Sequence, residues 1–129
     1  MLGDFDVQPM LPVGDLEAAK AFYEGKLGLK STGEVPDTAV IYQSGGGTLC
    51  VYRSEQAGTN QGTAALWEVD DVEGMVEDLK GRGVTFVHYD DLPGLTRKGD
   101  VHSAGPMRVA WFKDPAGNIL SLQNRPAKP

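Results

Sequence analysis

The side chains with chemistry to offer in this chain are His88, His102, Cys50, Glu68, Gln8 and Ser121. An imidazole can hold a divalent metal or move a proton near neutral pH. His88 falls in the run Thr85-Phe86-Val87-His88-Tyr89, which reads as a strand, and His102 falls in a long loop from Leu92 to Pro106. An exposed or backbone-bonded ring is the plain reading of each. Cys50, the only cysteine, could serve as a thiolate ligand or nucleophile, but no histidine lies near it in sequence to activate it, and a small buried apolar residue accounts for it better. Glu68 could bind a cationic ligand or act as a base, or stand solvated at a rim. A glutamine such as Gln8 bonds backbone or ligand more readily than it holds a metal without partners.

Ser121 lies in the stretch DPAGNILSLQ, Asp114 to Gln123. Asp-Pro followed by Gly117 is turn chemistry, so two strands meet here as a hairpin. Side chains alternate along the returning strand, which puts Leu120 and Leu122 on one face and Ile119, Ser121 and Gln123 on the other. If Gln8 and Ser121 line one cleft, parity adds Met10, Thr48, Cys50, Tyr52, Leu66 and Glu68. If residues 114–117 close a four-residue turn, Arg108, Ala110 and Phe112 join them. By the same count Trp67 and Trp111 lie beneath helices. The lining is largely apolar with a few polar groups, which is the makeup of a small-molecule pocket. One bulge in a strand would exchange the two sets.

An internal repeat supplies the elements that position these residues. Val13-Gly14-Asp15-Leu16-Glu17 returns as Val69-Asp70-Asp71-Val72-Glu73, and each copy opens a helix. Asp70 with Glu73 reads as a capping box, and Gly14 with Glu17 as a weaker one. Leu16, Ala19, Phe22, Tyr23 and Leu27 form an apolar stripe at helical spacing, matched by Val72, Met75, Val76 and Leu79. Gly28 and Gly83 stand where each helix should stop. Strands are expected at 6–13, 38–43, 48–52, 63–69, 84–89, 108–113 and 118–123. The chain is therefore expected to be α+β: two βαβββ modules, about 1–58 and 59–129, forming one domain. Each module leaves one sheet face without a helix, and two such faces can curve into a cleft with the helices outside.

Composition narrows the partners. A length of 129 residues with 40% hydrophobic and 23% charged residues suits one globular domain. The formal charge of −6 argues against nucleic acid and against an anionic membrane surface. A neutral or cationic small molecule is the easier ligand. A lone cysteine and an N-terminus without a basic-then-apolar leader point to the cytoplasm.

The doubled βαβββ pattern, with VGDLEAAKAFYEGKLGL at its front and WFKDPAGNILSL at its back, resembles the vicinal oxygen chelate superfamily of glyoxalase I, bleomycin resistance proteins and extradiol dioxygenases. The resemblance implies a curved mixed sheet around a cleft, and a homodimer. In metal-dependent members four strand positions hold a divalent ion, and they fall here on Gln8, Cys50, Ala64 and Ser121. Glutamine occurs at the first in glyoxalases, but alanine cannot ligate and serine replaces a carboxylate, so no metal or other cofactor is expected. The resulting expectation is metal-free binding of an antibiotic-like or aromatic small molecule. The alternative is a divergent metal-dependent lyase or dioxygenase recruiting His88 or His102. The lining expected to carry binding is Gln8, Met10, Cys50, Tyr52, Leu66, Glu68, Arg108, Phe112 and Ser121.

Overall fold

A computed structural model describes residues 1–124. The chain divides into two compact units, Met1–Asn60 with Pro115–Asn118, and Gln61–Asp114 with the residues from Ile119 onward. Unit 1 contains β1 (Met10–Val13), α1 (Leu16–Lys20) running on into a π-helical turn (Ala21–Lys26), β2 (Lys30–Val35), β3 (Ala39–Ser44) and β4 (Gly47–Arg53). β1 runs parallel to β4, the other pairs are antiparallel, and the strand order is β1-β4-β3-β2.

Unit 2 contains β5 (Thr63–Val69), α2 (Val72–Gly81), β6 (Phe86–Val87), β7 (Thr96–Lys98), β8 (Val101–Ala104), β9 (Met107–Lys113) and β10 (Ile119–Asn124). β5 runs parallel to β10, and β10 pairs antiparallel with β9. The far edge of β9 is shared: β6 takes it at Trp111 and Phe112, and β8 takes it from Met107 to Val109. The path β5-β10-β9-β6 thus repeats the order of unit 1, and the β7–β8 hairpin is an insertion. Each unit is a βαβββ module with a mixed sheet, and the fold is α+β as the repeat implies. Among the described residues no helix is long and apolar enough to cross a membrane.

The helix-facing side of each sheet builds the core. In unit 1 it holds Leu11, Val13, Val40, Tyr42, Leu49 and Val51, all buried, with Ala19, Phe22 and Tyr23 from the helix. Tyr42 is fully buried and donates its hydroxyl to Glu24 Oε2 at 2.8 Å. Burial first, and then that carboxylate, push its pKa up. In unit 2 the core holds Phe86, Ala110, Phe112, Leu120 and Leu122, with Val72, Val76 and Leu79 from α2.

Both helices start one residue away from the capping pattern read in the sequence. Asp15 accepts the N–H groups of Glu17 at 3.0 Å and Ala18 at 3.2 Å, and Asp71 accepts the N–H of Gly74 at 3.0 Å. Adjacent aspartates at 70 and 71 make the two registers hard to separate by pattern; the extended backbone of Asp71, φ −133°, decides for it. Asp71→Ala is expected to lower stability by about 1 kcal/mol in urea denaturation. An unchanged midpoint would mean the cap contributes nothing. The stops fall as expected, with Gly28 and Gly83 at φ 75° and 92°, a backbone region that favours glycine.

Four strand expectations change. β1 begins at Met10 and not at Asp6, so Gln8 lies in an exposed segment ahead of the sheet. The Val84–Tyr89 strand shrinks to Phe86–Val87. The 92–106 loop holds the β7–β8 hairpin, and Lys30–Val35 is also a strand. β2 and β7 are exposed almost throughout, so neither carries the apolar alternation that marks a half-buried strand.

Candidate functional site

The β9–β10 register fixes which residues share a face. Phe112 pairs with Leu120, Trp111 with Ser121 and Ala110 with Leu122, and the ladder begins at Lys113 opposite Ile119. The connection is therefore residues 114–118, one longer than a four-residue turn, and the slip of one moves every β9 side chain to the other face. Arg108, Ala110 and Phe112 are corrected to the helix side. Arg108 Nε stands 3.7 Å from Glu73 of α2, and the Phe112 ring stacks on Trp67 at 6.4 Å. Trp67 lies beneath the helix as its parity implies, whereas Trp111 does not.

On the side away from α2, two adjacent rows cross the sheet of unit 2. One runs Leu66, Ser121, Trp111, Val87, and the next runs Glu68, Gln123, Val109, His102. Trp111 dominates the first row. Its Nε1–H donates to Thr63 Oγ1 at 3.2 Å, on β5, beyond β10. Neighbouring strands are roughly 4.8 Å apart, so the indole reaches over β10 between Ile119 and Ser121, both of them buried. Two rings meet it edge-on: Tyr89 at 5.0 Å and His102 at 4.9 Å. Leu66, at the β5 end of this row, is 50% exposed, and Glu68 is exposed in the next. Sequence parity missed Trp111 because it rested on the turn length.

The inserted hairpin brings charged groups to the rim. His88 Nε2 lies 2.7 Å from Asp100 Oδ1, and Lys80 Nζ of α2 lies 2.8 Å from Asp100 Oδ2. The Lys80 bond, and next the His88 bond, hold the Asp100 carboxyl below its usual range. Arg97 forks onto Asp90 at 2.6 and 3.0 Å and lowers that carboxyl too. His102 is buried and takes the backbone N–H of Tyr89 on Nε2 at 3.0 Å. Burial, and then the charge of His88, lower its pKa.

Comparison with known proteins places this geometry in a family. The model of the Glyoxalase/Bleomycin resistance protein/Dioxygenase superfamily matches residues 7–122. The chain belongs to that superfamily. No curated protein matches the chain. Among solved structures it is similar to UcmS2, at 20% identity and TM-score 0.69 over 92% of this chain and 96% of that one. It is similar to lactoylglutathione lyase from Agrobacterium tumefaciens, at 19% identity and TM-score 0.69 over 93% and 92% of the two chains. It is similar to TnmS3, an antibiotic-binding protein from Streptomyces sp. CB03234, at 25% identity and TM-score 0.63 over 93% of each chain.

The four positions that the resemblance gives to a metal hold Gln8, Cys50, Ala64 and Ser121. Gln8 is exposed ahead of β1, and Cys50 is buried in β4. Ala64 offers no donor and is left over by the register step opposite Ile119 and Leu120. Ser121 is 3% exposed beside the indole, and a carboxylate there would have to displace the ring. Among the described residues no group of three His, Cys, Asp or Glu side chains could hold a metal. One nitrogen of each histidine ring is already engaged, His88 Nε2 with Asp100 and His102 Nε2 with the Tyr89 N–H.

In unit 1 the face away from the helix carries Met10, paired with Cys50, and Pro12, paired with Tyr52. Met10 is 56% exposed, while Thr48 and Tyr52 are half-buried. This face offers apolar contact and a phenol, and no acid–base pair.

Proposed function

We propose that the chain binds a small organic molecule without a metal, on the sheet face of unit 2 around Trp111. The observation that carries this reading is the indole, anchored at Nε1 by Thr63 and flanked edge-on by Tyr89 and His102. A ring so held loses little freedom on binding and offers an aromatic face for stacking. Glu68 in the neighbouring row favours a cationic substituent, since a cation also gains from the indole's negative face. The similarity to the antibiotic-binding TnmS3 supports the same ligand class. A homodimer in the cytoplasm completes the proposal, on the strength of the family resemblance and the single, buried Cys50.

The test is a fluorescence titration of the full chain with 9-aminoacridine, a planar cation, with and without strong chelator, beside a count of bound metal. Saturable binding that chelator leaves unchanged, with metal near zero per chain, is expected. Binding abolished by chelator, or a stoichiometric metal, would overturn the metal-free reading in favour of a divergent lyase or dioxygenase. Sedimentation velocity separates a dimer from a monomer.

A further inference from the structure

We propose that His102 is a positioning residue: its neutral imidazole, by accepting the Tyr89 N–H, holds Tyr89 and Trp111 in the arrangement that binds ligand, and protonation releases them. The inference rests on the binding reading above for its functional consequence, and on geometry for the rest.

His102 is 1% exposed, in the row next to Trp111. Nε2 can accept the Tyr89 N–H at 3.0 Å only while it carries no proton, so the ring's single proton sits on Nδ1. Nδ1 is buried and makes no contact of hydrogen-bond geometry, and of its near surroundings the Val109 backbone favours a charge. Protonation would set Nε2–H against the Tyr89 N–H, donor against donor. Tyr89 would lose its backbone partner, and the Tyr89 ring is one of the two edges that fix the indole.

The charged surroundings come from four parts of the fold. His88, from the segment after β6, has its ring 6.2 Å away, and its charge opposes a second one. Asp90 from the same segment favours the charge, Arg97 of β7 opposes it, and these two are paired with each other. Asp100, between β7 and β8, is bound to His88 and to Lys80 of α2. Burial is the largest influence, and it holds the folded-state pKa below the ordinary histidine value. The sign follows. Above that value the ring is neutral folded or unfolded, and its contribution to stability is fully present. As pH falls below it the unfolded chain takes the proton first and the contribution shrinks, until the folded ring titrates and the latch opens.

The experiment follows the Tyr89 amide and the Trp111 indole N–H by NMR from about pH 8 to about pH 5, without ligand, then repeats the 9-aminoacridine titration over the same range. In the wild-type chain both resonances are expected to move together below the ordinary histidine value, and affinity to fall by up to about tenfold per pH unit once the folded ring titrates. In His102→Gln the side-chain carbonyl can accept the same N–H and does not titrate. That variant is expected to lose the pH dependence: both resonances, and the affinity whatever its size at about pH 8, should stay level down to about pH 5. Wild-type resonances that do not move, or that move equally in His102→Gln, overturn the proposal. Resonances that move as expected, with no probe bound at any pH, overturn the binding reading and leave the latch standing.

Discussion

Phe112→Ala is expected to lower the stability of the chain by about 3–5 kcal/mol, measured by urea denaturation, while changing probe affinity by less than about threefold in the molecules that remain folded. Phe112 is 1% exposed and pairs with the fully buried Leu120. Its ring stacks on Trp67 at 6.4 Å and meets Phe86 at 5.5 Å on the side of the sheet that α2 covers. Removing it leaves a cavity that neighbours on β6, β5 and β10 cannot all close, because each is fixed by its own ladder. Against a typical total of about 5–15 kcal/mol, such a loss unfolds a substantial fraction of molecules at moderate temperature. A loss under about 1 kcal/mol together with abolished binding would instead put Phe112 on the ligand face, where a four-residue turn would have set it.

The difference between those two outcomes is a single residue of loop length, and it marks how far the sequence could be read. The doubled module was legible because the helix starts recur and Gly28 and Gly83 stand at the same place in each copy. β5 was legible to the residue, Thr63–Val69, because an apolar run leads there straight into the second helix start. The facing of Gln123, Ser121 and Leu66 relied only on the alternation of their own strands, and the register places these in the rows described. The facing of Arg108, Ala110 and Phe112 was carried across the Asp114–Asn118 connection, where the count slipped. Turn chemistry identifies a reversal and does not fix its length when Asp, Pro, Gly and Asn all occur within it. The β7–β8 hairpin escaped because Thr96, Arg97 and Lys98 are all exposed and show no apolar period. His102 was legible as a residue of interest, but its partner, the Tyr89 N–H, is a backbone group that no side-chain pattern announces.

Trp111→Ala is expected to weaken 9-aminoacridine binding by roughly thirtyfold, about 2 kcal/mol, the scale of a tryptophan that anchors an interface. The substitution removes the aromatic face and leaves Tyr89 and His102 without the ring they border, so the loss includes their reorganisation as well as the stacking. Trp111→Phe separates the two contributions, since phenylalanine keeps a face for stacking but cannot donate to Thr63 Oγ1. Its affinity should fall between wild type and Trp111→Ala, and its stability should stay closer to wild type. The fluorescence readout is internally controlled. Trp67 is the only other tryptophan, and it stacks on Phe112 on the helix side, so quenching by the probe should disappear in Trp111→Ala while Trp67 emission persists. Unchanged affinity in Trp111→Ala would remove the unit-2 face from consideration and turn attention to Met10, Cys50 and Tyr52 on the corresponding face of unit 1. Loss of binding there but not in Phe112→Ala would establish that adjacent residues of β9 do opposite work, one ring building the core and the next receiving the ligand.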